Sequence, residues 1–430
     1  MERINELISD PDRCRRTGER VRRLVQFEYT WEKAAENVPD YMQHNMSDLY
    51  TGRERHPRIC FVAQNAYGAL AGGDGGHIGG VERQTSLMAR WFASRGYQVN
   101  MLTWDEGQDD GVEIDGVRVF KMCRKEAGVK GLRFVWPKWT SLVAAMKRAD
   151  ADLYYQNCAE CVTGQVALWC RRRGRKLIYS VASHPDCDKR LPRMHTLRER
   201  VLYRYGLKAA DKVIVQTRKQ QDMLWDSFGR DSVVLPMPCP GPSADDYMER
   251  ERAQDGKNRV LWIGRVCKVK SPDRLLDLAE ACPDLRFDLV GPAADNGYAR
   301  TICERAKSIS NVTLHGPASR GRVSEFYKNA RVMCCTSEFE GFPNTFLEAW
   351  SYGVPIVTTF DPDNLIAEKG LGRVGKDVRE LAAGIRDLLE SPDKRRKASQ
   401  SARVYYLENH AVDKAMERFE HIFTEIARTQ

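Results

Sequence analysis

From Arg58 onward the chain alternates short, continuously apolar runs with longer segments whose apolar residues recur every three or four positions. RICFVAQ reads as a buried strand, and the segment from Gly80 to Ser94 as a helix with Val81, Leu87, Met88, Trp91 and Phe92 on one face. The pattern continues with YQVNMLT, a hairpin ending in VRVFKM, the strand DLYYQ, a helix through Ala167, the strand KLIYSV, a helix around Val201, and KVIVQT. Strands that are apolar throughout are buried on both faces, and repeated β-α-β order implies a parallel sheet covered by helices. The run PMPCPGP, Pro236 to Pro242, is too rich in proline for a helix or sheet interior, and a polar stretch follows to Asn258, so this region reads as an interdomain linker. Beyond it the pattern restarts: RVLWIG, a helix from Asp273, RFDLVG, a helix around Ile302, NVTLHG, RVMCCT and PIVTTF. The expected fold class is α/β, with two doubly wound domains in series at 57–242 and 243–405, a closing helix at 406–430 that packs back toward the first domain, and an N-terminal helical extension at 1–56. Ligands in such folds gather at the carboxyl ends of the strands.

The extension carries its own pattern. Laid without gaps against Ile385 to Phe419, the stretch Ile4 to Val38 shares Ile4, Leu7, Pro11, Asp12, Arg15, Arg22, Lys33, Ala34 and Glu36 with it at one constant offset. That suggests a duplicated tail, the alternative being an unrelated helical extension. Composition changes the picture little: 430 residues, 42% hydrophobic and 30% charged, suit a globular protein of two or three domains. No apolar run approaches the roughly 18 residues of a membrane span, and MERINELISD lacks the apolar core of a secretory signal. The thirteen cysteines are scattered, several inside apolar strands, which fits reduced core thiols and a cytoplasmic location. Cys158 and Cys161 have C-x-x-C spacing but lack the sequence context of a metal or redox site.

Charge adds a partner. The net +9 is concentrated in Arg124 to Arg148 and Arg171 to Arg200, a solvated face or a surface for an anionic membrane, peripheral on its inner side, or for a lipid-phosphate acceptor. Nucleic acid is not expected, because no recognised binding module accompanies the charge.

The candidate chemistry centres on SEFEGFPNTFLEAWSYGVPIVTT, Ser337 to Thr359. Glu340 lies on the loop after the strand Arg331 to Thr336, and Glu348 lies one turn into a helix beginning near Asn344. The turn between them, Gly341, Phe342, Pro343, Asn344 and Thr345, presents free backbone N–H groups at the positive end of that helix, a place that attracts phosphate. Ionised carboxylates accept several hydrogen bonds and suit sugar and ribose hydroxyls. Arg265 and Lys270 follow the first strand of the same domain and can neutralise a diphosphate. In the first domain, Gly79 and Gly80 end AGGDGGHIGG and offer N–H donors at a helix start, while His184 follows the strand KLIYSV on the carboxyl edge.

Other motifs carry less. Gly370, Gly372 and Gly375 satisfy G-x-G-x-x-G, but no apolar strand leads into them, and the run ends in Asp377 where a phosphate loop needs Ser or Thr. The D-x-D pairs Asp150/Asp152, Asp186/Asp188 and Asp361/Asp363 would suit a metal-dependent transferase of single-domain fold, which two nucleotide-type domains oppose.

Taken together, GGVERQTSLMARWFASRGYQV, GRVCKVKSP, the Ser337 to Thr359 segment and the helical tail resemble the family 4 retaining glycosyltransferases of GT-B fold, over about Arg58 to the C-terminus. The resemblance implies two Rossmann-like domains facing across a cleft, and a nucleoside-diphosphate sugar donor with its diphosphate on Arg265 and Lys270. It further implies Glu340 on the sugar hydroxyls, Gly341 to Thr345 amides on phosphate and sugar, Glu348 on the ribose, and Gly79 and Gly80 approaching from the other domain. Family members carry a histidine soon after a first-domain strand, and His184 matches it approximately. The implied reaction transfers a sugar, with retention and without a metal or other cofactor, to an acceptor sugar, glycan or lipid-linked glycan, as in cell-surface polysaccharide or glycolipid synthesis. A non-catalytic nucleotide-sugar-binding protein, the degenerate half of a tandem transferase, is the competing expectation.

Overall fold

The computed structural model describes residues 56–73, 79–252, 258–338 and 340–429. The proposed duplicated tail at 1–56 lies outside the described residues except for His56. Pro57–Gln430 forms one compact unit.

The first sheet comprises β1 (Ile59–Val62), β2 (Val99–Thr103), β3 (Val112–Ile114), β4 (Val117–Lys121), β5 (Leu153–Asn157), β6 (Lys176–Ser180), β7 (Lys212–Val215) and β8 (Val233–Val234), in the order β3-β4-β2-β1-β5-β6-β7-β8. All neighbours are parallel except the β3–β4 hairpin, whose turn residues Asp115 and Gly116 both have positive φ, at 49° and 76°. That is the backbone a two-residue hairpin needs, and Asp-Gly supplies it at low cost. The second sheet comprises β9 (Arg259–Ile263), β10 (Arg286–Val290), β11 (Val312–Gly316), β12 (Val332–Cys335), β13 (Ile356–Thr358) and β14 (Gly372–Val374), all parallel, in the order β11-β10-β9-β12-β13-β14. Strand order reverses between β1 and β5 in the first sheet and between β9 and β12 in the second, and a crevice opens at each reversal.

Each domain has an outer apolar core, and a third core runs continuously through both. The third depends on the last two helices. Pro392–Asn409 packs against Asn344–Ser351 of the second domain, whereas Val412–Arg428 sets Phe423 against the first domain, stacked on Phe92 at 4.9 Å and near Phe61 and Tyr155. The chain thus ends on the domain with which the described region begins. The proline-rich segment passes beneath these helices: Cys239 N–H donates to the His410 carbonyl (2.9 Å), the Tyr406 hydroxyl donates to the Cys239 carbonyl (2.8 Å), and His410 Nδ1 bonds the Met237 carbonyl (2.8 Å).

The polar stretch after Pro242 is not open linker throughout. Ala244–Arg252 is a helix, started by Ser243 Oγ accepting from Asp246 N–H (3.1 Å) and held to the second domain by Lys328–Asp246 (2.6 Å) and by Arg403 over the Tyr247 ring (4.4 Å). ADDYMERER shows no apolar stripe because ion pairs and a cation–π contact, rather than aliphatic burial, attach it.

Candidate functional site

The site forms at the β9/β12 switch point. The loop after β9 carries Arg265 and Lys270, and the loop after β12 carries Glu340. Two backbone and side-chain ties hold the loops together: Glu338 N–H donates to the Val269 carbonyl (3.0 Å), and Thr336 Oγ1 donates to the Lys270 carbonyl (2.9 Å) while accepting from Trp262 Nε1 (2.9 Å). Ser271, directly after Lys270, has φ of 42°, a strained conformation of the kind found where a structure over-determines a functional loop. In this setting the Lys270 ammonium contacts the Glu340 carboxylate directly. Arg265 is exposed and has no ion pair among the described residues, so its fork is free for an anion. Glu348, one turn into Asn344–Ser351, accepts from the buried Tyr327 hydroxyl at 2.8 Å.

The first domain closes over the turn that joins these acids. A Cβ on Gly80 would lie 2.3 Å from Asn344 Nδ2, and one on Gly341 would lie 2.5 Å from the Ala182 carbonyl oxygen. At Gly341 the opposing atom is backbone, so glycine is required for this approach, whereas at Gly80 the opposing atom is the end of the Asn344 side chain, which a larger residue would turn aside. Gly79 starts the helix Gly80–Ser94, and the Glu82 carboxylate folds back over it. His184 borders the same gap. Burial and the Lys219 charge hold its imidazole below the ordinary histidine range, while the Glu340 backbone and the Asp363 and Glu340 carboxylates act the other way. Its Nε2 is buried without a hydrogen-bond partner.

Pattern reading missed three participants. Gln216, after β7, accepts through Oε1 from the Phe342 N–H (3.0 Å), so in this arrangement one amide of the turn is already taken. Gln220 has a buried, unpaired Nε2 beside Gly341. Asp363 accepts from the N–H groups of Arg218 (2.7 Å) and Lys219 (3.1 Å), capping a first-domain helix from the second domain. QTRKQQ does follow a strand on the carboxyl edge, and that position was the available signal.

Across the cleft, the β1/β5 switch point holds a small cavity lined in part by Gln64, Asn65, Glu82, Asn157 and Glu160. Burial, and then the Glu82 charge, raise the Glu160 carboxyl above the usual carboxylate range, and Asn157 Oδ1 is buried without a partner.

The discounted motifs have structural roles. Asp150 and Asp152 pair with Arg58 and Arg175, Asp186 accepts from Ala182 and Ser183 N–H, Asp188 pairs with Arg190, and Asp361 accepts from Ile366 and Ala367 N–H. Among the described residues no three His, Cys, Asp or Glu side chains group to hold a metal ion. Gly372 belongs to edge strand β14, where a Cβ would collide with the Ile356 carbonyl. Burial raises both the Cys158 and Cys161 thiols, the opposite of an activated pair. His315, at the end of β11, bonds Asp288 through Nε2 (2.7 Å), and Gly316 accepts from Gly291 N–H (2.8 Å).

Two Rossmann-like sheets meeting across a cleft, with cations and carboxylates at one switch point and a glycine helix start opposite, define the GT-B class. The family description "Glycosyl transferase 4-like domain" matches residues 79–240, and "Glycosyl transferases group 1" matches 243–405. The chain belongs to the family 4 glycosyltransferases. It is 23% identical to a D-inositol 3-phosphate glycosyltransferase of Gordonia bronchialis, over 79% of this chain and 83% of that protein. A protein of the same name from Mycobacteroides abscessus is 26% identical over 161 residues, which span 34% of this chain and 36% of the relative. The fold is similar to that of Anabaena Alr3699/HepE, solved with UDP and glucose, with a TM-score of 0.66 at 17% identity, covering 86% of this chain and 100% of that one. Among the described residues no helix is long and apolar enough to cross a membrane.

Proposed function

We propose that the protein transfers a sugar from a nucleoside-diphosphate sugar to an acceptor hydroxyl, with retention of anomeric configuration, in the synthesis of a cell-surface polysaccharide or glycolipid. The observation that carries this reading is the Lys270–Glu340 contact at the β9/β12 switch point, with Glu348 on the helix that follows and Gly80 against Asn344 at the start of that helix. In this assignment Arg265 and Lys270 bind the donor diphosphate and stabilise the charge that grows on it as the bond to the anomeric carbon breaks. No metal or other cofactor is needed for that role. Glu340 accepts from sugar hydroxyls, Glu348 from the ribose, and the amides of Gly341, Asn344 and Thr345 meet phosphate and sugar, joined by that of Phe342 once Gln216 releases it, while Pro343 fixes the turn. Gly79 and Gly80 approach the donor from the first domain. The acceptor oxygen forms its bond on the face from which the diphosphate leaves, and the acceptor proton passes to a departing phosphate oxygen.

His184 Nε2 is left to hydrogen-bond a sugar hydroxyl. The cavity beside Asn65, Glu82 and Glu160 supports an acceptor site rich in hydroxyls, which carboxylates and amides bind well. UDP in the HepE crystals makes a uridine donor the first choice to test. A thermal-shift panel of UDP, GDP and ADP with their sugars is expected to single out one nucleotide. Lys270→Ala should remove that shift and lower transfer by about a hundredfold or more, as loss of a charge-stabilising contact does. Binding in Lys270→Ala equal to wild type would refute the assignment of Lys270, and binding without turnover in the wild type would favour a nucleotide-sugar-binding protein.

A further inference from the structure

One region of the first domain exposes large apolar side chains in a group. Val129, Leu132, Val135 and Trp136 lie on the segment after β4, and Leu197 and Val201 lie on the helix Leu197–Ala209; each is between 56% and 78% exposed. The two segments adjoin, since the Arg198 guanidinium lies 3.8 Å over the Phe134 ring, which in turn packs on Trp139 at 5.5 Å. Leu197 and Val201 are four residues apart and share a helix face, while Tyr203, Gly206 and Leu207 occupy the buried face. The surface is therefore not the core side of a misread helix. It is a second, outward apolar stripe.

Most of the exposed charges around it are positive. Lys130, Arg133 and Arg198 are exposed, and none forms an ion pair among the described residues. Of the nearby acids, Glu199 is committed to capping, accepting from the N–H groups of His195 and Thr196 at 3.0 Å each, which leaves Glu126 as the exposed exception. Exposed apolar groups, a tryptophan and cations without ion pairs suit an interface between water and acidic lipid, where aromatic rings sit at headgroup level and each basic residue adds attraction. A protein partner would be favoured by charges of both signs, whereas Lys130, Arg133 and Arg198 outnumber the one exposed acid, Glu126.

Position agrees with chemistry. β4, β2, β1, β5 and β6 run parallel, so the segment leaving β4 and the helix reached from β6 by way of His184 both emerge at the carboxyl edge of the sheet, the edge that faces the cleft.

We propose that this face docks the protein on an anionic bilayer, with the apolar side chains entering the boundary between headgroups and acyl chains and Lys130, Arg133 and Arg198 meeting acidic headgroups. It stands apart from the transferase assignment, since no residue in it belongs to the donor site.

The test is flotation of the full chain with phosphatidylcholine vesicles, with and without phosphatidylglycerol. Wild type is expected to float with the acidic vesicles only, and less as salt is raised. Leu132→Ser/Trp136→Ser should weaken partition by about tenfold, as removal of buried apolar area does, and Leu197→Ser should weaken it independently. Trp225→Ser, at an equally exposed tryptophan on Arg218–Phe228, should leave it unchanged. Unaltered melting of all variants separates docking from folding. Absence of flotation with acidic vesicles, or flotation unaffected by both docking variants, overturns the proposal. Concentration-dependent dimerisation abolished by those variants, with no vesicle binding, overturns it in favour of a second copy of this chain.

Discussion

Alanine at Gly341 should hold the two domains apart. Its Cβ would sit 2.5 Å from the Ala182 carbonyl oxygen, with Gln220 Nε2 and Ser183 Cα each at 3.2 Å. Gly341 is not among the residues of positive φ, so alanine meets no backbone penalty there and the effect is steric. A carbon approaches a carbonyl oxygen no closer than about 3.3 Å, so the opposing backbones must separate by about 0.8 Å. Such a shift stretches the Phe342 N–H to Gln216 bond from 3.0 Å past useful length, at a cost of about 1 kcal/mol, and strains the Asp363 contacts beside it. Displacement of catalytic groups by about 1 Å costs on the order of a hundredfold in rate. Expected, therefore, are kcat/KM lowered by about a hundredfold, a melting temperature close to wild type because each domain core is untouched, and a larger radius of gyration by small-angle scattering in the presence of donor nucleotide. Wild-type kinetics together with an unchanged scattering profile would refute the claim that Gly341 sets closure.

The same geometry makes three further predictions. Burial holds the His410 imidazole down at about 4, so its neutral form contributes stability above its unfolded pKa of about 6.5, and that contribution is lost as pH falls toward 4. About 3 kcal/mol is involved, and His410→Asn, which keeps a donor for the Met237 carbonyl, should flatten the unfolding midpoint across that window. An equally steep acid loss in the variant would exclude His410 as the source. Phe423→Ala should destabilise the protein to urea by about 3–5 kcal/mol, because its ring packs on Phe61, Phe92 and Tyr155; a loss below about 1 kcal/mol would mean the helix is not anchored there. Glu348→Gln should weaken nucleotide binding by roughly tenfold, the scale of one charge-assisted hydrogen bond, with little change in melting because an amide oxygen still accepts from Tyr327. Unchanged affinity by calorimetry would remove Glu348 from the ribose assignment.

Much of the second-domain site was legible because its parts are local. Continuous apolar runs mark strands buried on both faces, and loops at their carboxyl ends must contain any crevice residues, so Arg265, Lys270, Glu340 and Glu348 could be read from strand order and spacing. Gly80 and Gly341 could be flagged as glycines, but not as close approaches to the Asn344 side chain and the Ala182 backbone, since each meets its neighbour from the opposite domain. Gln216, Gln220 and Asp363 were illegible for a related reason. Glutamine and aspartate after a strand are common, and only the opposite domain makes these different: a backbone partner 126 residues away for Gln216 and 145 for Asp363, and the neighbouring Gly341 for Gln220.

What the sequence determined by itself was two doubly wound halves, their order, and the residue types at the carboxyl edge of the second sheet, because periodicity and strand length are properties of neighbouring residues. Tertiary structure decided the rest: that Phe423 is the ring by which the final helix makes its expected return to the first domain, that His184 is driven toward its neutral form by burial at the cleft, and that Lys270 lies against Glu340. It also separated outward apolar residues such as Trp136 and Leu197 from core ones. A hydrophobic side chain reads alike in either setting until packing fixes which face the chain has covered.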